Sequence, residues 1–95
     1  MAKHWSVHIA SRMPRGSVDS DDRRIDELVD ALRRFGAAVA AGNDGVDVTM
    51  TARAAEAPAA ARRAVRCFRR ALDECGFPPR KITRLEVVSH KELRI

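Results

Sequence analysis

The sequence predicts an α+β fold in which two helices cover one face of a four-stranded antiparallel sheet. Three segments of alternating apolar and polar residues and one short run of small residues predict the strands. Two segments with apolar residues every three or four positions predict the helices between them. The resulting order, β-α-β-β-α-β, uses nearly all of the 95 residues. A chain of this length has room for one hydrophobic core, so residues 1–95 are expected to form a single domain.

The first predicted strand alternates between residues 4 and 10, which places Trp5 under the helices and the histidines on the opposite face. A loop of small polar residues follows. Asp19 or Ser20 is expected to cap the first helix, and Gly36 is expected to end it. The apolar stripe of this helix consists of Ile25, Leu28, Val29, Leu32 and Phe35.

A hairpin is predicted in the middle of the chain. Residues 37–41 form its short first strand, and the glycines of Gly42-Asn-Asp-Gly45 are expected to supply the positive φ angles of a tight turn. The second strand of the hairpin alternates as far as Arg53. Its inward side chains are Val46, Val48, Met50 and Ala52.

The second helix and the last strand complete the pattern. Pro58 suits the first turn of a helix, and Gly76 followed by two prolines suits its end. In the last strand, residues 82–90, Leu85 and Val87 are expected to face the core. The predicted apolar stripe of the helix is Ala61, Val65, Phe68, Leu72 and Cys75.

Right-handed connections between these elements predict a sheet with strand order 4-1-3-2 and both helices on one face. This is the ferredoxin-like arrangement, which leaves the other face of the sheet open. The chain also resembles small actinobacterial proteins of an uncharacterised family, which begin with a strand like Trp5-Ser-Val-His-Ile9 and continue through two alanine-rich helices. The resemblance covers the whole chain and implies no activity.

The open face is the first candidate functional surface. Its residues are small or moderately polar, and a two-layer fold of this kind often covers such a face by packing against another protein. The sequence therefore predicts a non-enzymatic interaction module that dimerises through this face or through an edge strand, or that binds a different protein. The candidate interface residues are Ser6, His8, Thr49, Thr51 and Val88.

Basic residues of the second helix are the next candidate. The net charge is +5, and residues 58–81 contain seven basic and two acidic side chains. At helical spacing, four arginines form a band that indicates nucleic-acid binding through phosphates as an alternative function. The competing interpretations are a solvated face that pairs with Asp26 or Asp30, or a compositional bias, since arginines outnumber lysines fifteen to three. The band consists of Arg62, Arg66, Arg69 and Arg70.

Three histidines give a third alternative. The alternation predicts that His4 opposes His90 and that His8 opposes Glu86 on the open face. Such a set is compatible with a dimeric α/β-barrel enzyme that uses these side chains between two sheets. Because the set lacks a complete acid, base and nucleophile, no catalytic residue is assigned.

No cofactor and no metal ion are predicted. Cys67 and Cys75 lie eight positions apart on one helix, so they cannot form a disulfide there, and the sequence has no Cys-x-x-Cys pair. The longest apolar run, residues 37–41, is far shorter than a membrane span, and the first residues lack a signal-peptide core. The chain is therefore expected to be cytoplasmic, with no membrane partner.

Overall fold

A computed structural model describes residues 3–14, 23–42, 44–77 and 80–89. These residues form the predicted α+β fold, with a four-stranded antiparallel sheet and two α-helices. The strands are β1 (Lys3–Arg12), β2 (Ala38–Gly42), β3 (Gly45–Ala54) and β4 (Lys81–Ser89). The helices are α1 (Arg23–Leu32), which continues into a 3-10 turn (Arg33–Phe35), and α2 (Ala57–Glu74).

The strand order is β2-β3-β1-β4, which runs 4-1-3-2 when it is read from the β4 edge. The central strands β1 and β3 pair along their full lengths, from Lys3 opposite Ala54 to Arg12 opposite Gly45. The pairing of β1 with β4 contains a bulge, because Ala10 lies opposite Arg84 whereas Ser11 lies opposite Ile82. Among the strands of the described residues, β2 and β4 are therefore the edges of the sheet.

The core lies between one face of the sheet and the two helices. Val7 and Ile9 of β1 are fully buried, as the alternation predicts, and all four predicted inward residues of β3 are buried with them. Phe68 of α2 is the largest fully buried side chain. Trp5 lies on the same face, near the end of the sheet, and is only half-buried. Its indole Nε1 donates a hydrogen bond to the Ala54 carbonyl, 2.9 Å away.

Both helices end at glycines in the left-handed conformation. Gly36 (φ 63°) ends the 3-10 turn, and Gly76 (φ 77°) follows α2. At the end of α2, the Phe77 amide donates to the Leu72 carbonyl and the Gly76 amide to the Asp73 carbonyl, which is the Schellman pattern. Pro58 lies in the first turn of α2, as predicted. The predicted cap of α1 at residues 19–20 and the prolines 78–79 lie outside the described residues.

The predicted buried residues of α2 and one predicted core residue of β4 need correction. Ala61 and Val65 are only half-buried, because the helix turns a neighbouring row toward the sheet. That row consists of Ala60, Ala64, Phe68, Ala71 and Leu72. Leu85 faces the helix side, opposite Ile9, yet 42% of its surface is exposed, since β4 is an edge strand that the helices cover only in part. Val29 of α1 is likewise 36% exposed rather than fully buried.

The hairpin prediction also needs correction. The first strand begins and ends one residue later than predicted, and neither Gly42 nor Gly45 has a positive φ. Gly45 has a different role: a Cβ atom at this position would lie 2.0 Å from the Ser11 carbonyl oxygen. The glycine therefore lets β3 approach β1 closely. Residue 43, in the turn itself, lies outside the described residues.

Among the residues that the structure describes, no helix combines the length and the apolar character needed to cross a bilayer.

Candidate interaction surfaces

A row of polar side chains crosses the open face of the sheet. Thr49 of β3, His8 of β1 and Glu86 of β4 occupy paired positions, so the predicted opposition of His8 and Glu86 is confirmed. His8 Nδ1 lies 2.8 Å from Thr49 Oγ1, within hydrogen-bond distance. The Glu86 carboxylate forms an ion pair with Arg84, two positions earlier on the same strand. The Glu86 carboxylate is therefore paired with Arg84 and not with His8.

The candidate interface residues of the open face occupy two adjacent rows. His8 and Thr49 belong to the row just described. Ser6 lies between Thr51 and Val88 in the next row. All five residues are half-buried within the single chain, and α1 and α2 both pack against the opposite face. The structure thus brings these five residues together on one surface with a low profile.

The other histidines do not join the His8 row. His4 is exposed and lies opposite Arg53, and its separation from His8 along the strand is about 13 Å. The predicted pairing of His4 with His90 lies outside the described residues. Within the described ranges, no group of three or more histidine, cysteine, aspartate or glutamate side chains has the geometry to hold a metal ion.

Both cysteines are free thiols on the α2 side of the core. Burial raises the pKa of the Cys75 thiol, and the nearby carboxylates of Glu27 and Glu74 raise it further. A raised pKa keeps the thiol protonated and weakly nucleophilic, which is the opposite of the shift that activates a catalytic cysteine.

The arginine band of α2 divides into two kinds of residue. Arg62, Arg66 and Arg69 are exposed, and no salt bridge to them exists among the described residues. Arg70 is also exposed, but its Nε lies 3.1 Å from Glu74 Oε1. The expected pairing with α1 does not involve Asp30, which binds Arg33 at 2.7 Å.

Arg80 is a structural residue. Its guanidinium lies 2.8 Å from Asp73 Oδ1 and donates to the Arg69 carbonyl, also at 2.8 Å. Only 11% of the side chain is exposed. This arginine therefore fastens the start of β4 to the last turns of α2 and has little surface to offer a ligand.

The β4 edge is one of the two sheet edges, and an edge strand was predicted as a possible interface without a choice between the two. The exposed Leu85 lies beside Ala61 and Val65 of α2, and the three together line an open groove of about 450 Å³. The three unpaired arginines of α2 form its rim. On the other face of β4, Arg84 and Glu86 flank Leu85 with opposite charges. The sequence indicated this surface by a leucine between two opposite charges, Arg84-Leu-Glu86, on a strand at the edge of the predicted sheet.

Comparison with protein-family models, with curated proteins and with solved structures finds no match to this chain.

Proposed function

We propose that this protein is a non-enzymatic interaction module that pairs with a second copy of itself along the free edge of β4. The fold that supports this proposal is the ferredoxin-like arrangement, which we infer from the element order, the antiparallel strand order and the packing of both helices on one face. Within the described part of the chain, β4 has a neighbouring strand on one side only. An unpaired edge presents backbone donors and acceptors that another strand can satisfy.

The charges next to Leu85 carry the proposal. When two copies of β4 run antiparallel about a two-fold axis through Leu85, Arg84 of each copy lies opposite Glu86 of the other. Two opposite-charge pairs then form on the open face. An axis through Glu86 would instead place two carboxylates opposite each other, so the charges favour the register centred on Leu85.

The apolar side chains agree with the same register. Leu85 is one of the two large apolar side chains with the greatest exposure among the described residues. In the paired strands it meets Leu85 of the second copy on the helix-facing side, next to the half-buried Val65. Each copy thereby buries the part of Leu85 that stays exposed in the single chain of the other.

A charge exchange tests the proposal. Glu86→Arg places two arginines opposite each other in the paired strands, and Arg84→Glu places two carboxylates opposite each other. Each variant alone is expected to raise the dimer dissociation constant by about tenfold or more, because two attractive pairs become repulsive. An equal mixture of the two variants restores both pairs across the interface. Sedimentation equilibrium is expected to give twice the chain mass of 10.5 kDa for the native protein and the mixture, and a lower mass for each variant alone.

Thr49→Glu is the matched control, since it adds a charge to the centre of the open face and leaves β4 unchanged. Its mass is expected to equal that of the native protein. If Thr49→Glu dissociates the dimer and the β4 variants do not, the interface is the open face. A native protein that stays monomeric at high concentration contradicts both interfaces.

Nucleic-acid binding is the second candidate, and the unpaired arginines along the groove support it. Phosphate contacts by Arg62, Arg66 and Arg69 would give a slope of about −3 for log K against log salt concentration on duplex DNA, from about 0.9 per contact. The exposed apolar residues between them include no aromatic side chain for stacking on bases. We therefore expect binding without sequence preference.

Replacing these three arginines by Gln is expected to flatten the salt slope and to weaken binding equally for all sequences. Arg70→Gln is the control, because Arg70 is already paired with Glu74 and its loss is expected to change the slope little. Fluorescence anisotropy with labelled DNA and RNA measures both quantities. Absence of binding at about 50 mM salt would identify the three arginines as a solvated helix face.

A further inference from the structure

A second concave site lies at the opposite edge of the sheet, where β2 is shorter than β3. Ala38 at the start of β2 pairs with Thr49, so beyond Thr49 the side of β3 that faces away from β1 has no paired strand among the described residues. The 3-10 turn after α1 and the middle of α2 approach this uncovered stretch from two sides. Together they enclose a cavity of about 300 Å³, which is at the lower end of the volumes of small-molecule sites.

The walls of this cavity are apolar and its rim is basic. Phe35 of the 3-10 turn and Cys67 of α2 are half-buried in the walls, and the deepest side chains are Met50, Ala52 and Ala64. The exposed residues that line the cavity are basic: His4, Arg34, Arg53 and Arg63. No carboxylate is among the residues that line the cavity in the described part of the chain. Three arginines therefore line an apolar opening that has no acidic lining residue among the described residues.

Two of these guanidinium groups are positioned by contacts that leave their charge available. Arg63 donates from Nη1 to the Arg53 carbonyl at 2.8 Å, which fixes the side chain against β3 beside the cavity. The guanidinium carbon of Arg34 lies 5.0 Å from the centre of the Phe35 ring. Each guanidinium has five N–H donors, so donors remain for a ligand. Side chains that are already ordered lose less conformational entropy when a ligand binds.

We propose that this cavity is a binding site for a small organic anion, with its carboxylate or phosphate group against Arg34, Arg53 and Arg63 and its apolar part against Phe35 and Met50. An apolar wall alone would accept neutral molecules, and a basic rim alone would accept any inorganic anion. The two together select a molecule that carries both parts. The site lies at the β2 side of the sheet, away from the β4 edge, so it does not depend on the proposed dimer.

Titration with benzoate and with phenyl phosphate tests the site. In two-dimensional NMR spectra of the full chain, both probes are expected to shift the amide signals of Phe35, Ala52 and Ala64 in a saturable way. The tighter of the two probes identifies the preferred anionic group. Benzamide has the same ring without the charge, and inorganic phosphate has the charge without the ring, so each is expected to bind at least about tenfold more weakly.

Variants separate the site from a general effect of charge. Arg63→Gln and Arg34→Gln are each expected to weaken benzoate or phenyl phosphate binding by about tenfold. Arg62→Gln removes the same charge from the neighbouring position of α2, outside the cavity, and is expected to leave binding unchanged. The proposal is overturned by the absence of saturable shifts, by equal binding of benzamide or inorganic phosphate, or by an equal loss in Arg62→Gln.

Discussion

Phe68→Ala is expected to lower the free energy of unfolding by about 3–5 kcal/mol, the usual cost of removing a large buried aromatic side chain. Phe68 is fully buried and is the largest side chain in the core. It lies on α2, which packs against three of the four strands and against α1. Since the neighbours are held by the sheet, they can fill only part of the cavity that the substitution leaves. Denaturant unfolding at a fixed protein concentration measures the loss.

Val65→Ala is the matched control on the same helix. Val65 is half-buried in the groove beside β4, so truncation removes little surface that folding has taken from water. The expected loss is below about 1 kcal/mol. A loss at Phe68 no greater than the loss at Val65 would contradict the placement of the core between α2 and the sheet.

Gly45→Ala is expected to destabilise the protein by about 3 kcal/mol, the upper part of the range for overpacked sites. The added Cβ would lie 2.0 Å from the Ser11 carbonyl oxygen, which is a backbone atom and cannot rotate away. The surrounding contacts are tight as well. The Ser11 hydroxyl donates to the Val46 carbonyl at 2.6 Å, and the Met13 amide donates to the Asp44 carbonyl at 2.7 Å. Relief of the clash therefore requires β1 and β3 to separate at this end.

Gly42→Ala tests whether the effect comes from this contact or from the loss of any glycine in the hairpin. A Cβ at Gly42 meets no atom within 4 Å, and the φ angle of Gly42 is not positive. We expect this variant to unfold within about 0.5 kcal/mol of the native protein. Equal stability of the Gly45 and Gly42 variants would show that a Cβ at position 45 does not meet the Ser11 carbonyl.

Predictions from the sequence were correct where the pattern of a single segment was enough to fix its place in the fold. Alternation in β1 and β3 identified the buried face, because both strands lie in the middle of the sheet and the helices cover their inward side chains. Gly36 and Gly76 identified the helix ends, since a left-handed residue at the end of a helix is a local requirement. The pairing of His8 with Glu86 followed from the same alternation.

The candidate surfaces depended on how each helix is rotated and how far it covers the sheet, which the sequence specifies only weakly. A helical period does not specify rotation to within one residue, so Ala61 and Val65 were predicted to be buried although the row through Ala60 and Ala64 faces the sheet. Alternation placed Leu85 on the correct face, but it does not report whether a helix covers that part of the face. The basic cavity was not predicted, because Arg34, Arg53 and Arg63 belong to three separate elements.

By itself, the sequence determined the classes of element, their order and the inward face of the central strands, because these follow from local periodicity, turn residues and the handedness of connections. Tertiary structure alone decided which surfaces stay uncovered. The lengths of β2 and β4 and the position of α2 over the sheet leave Leu85 exposed at one edge and an apolar cavity with a basic rim at the other. Exposure is a property of how elements cover one another, and no single segment of the chain contains that information.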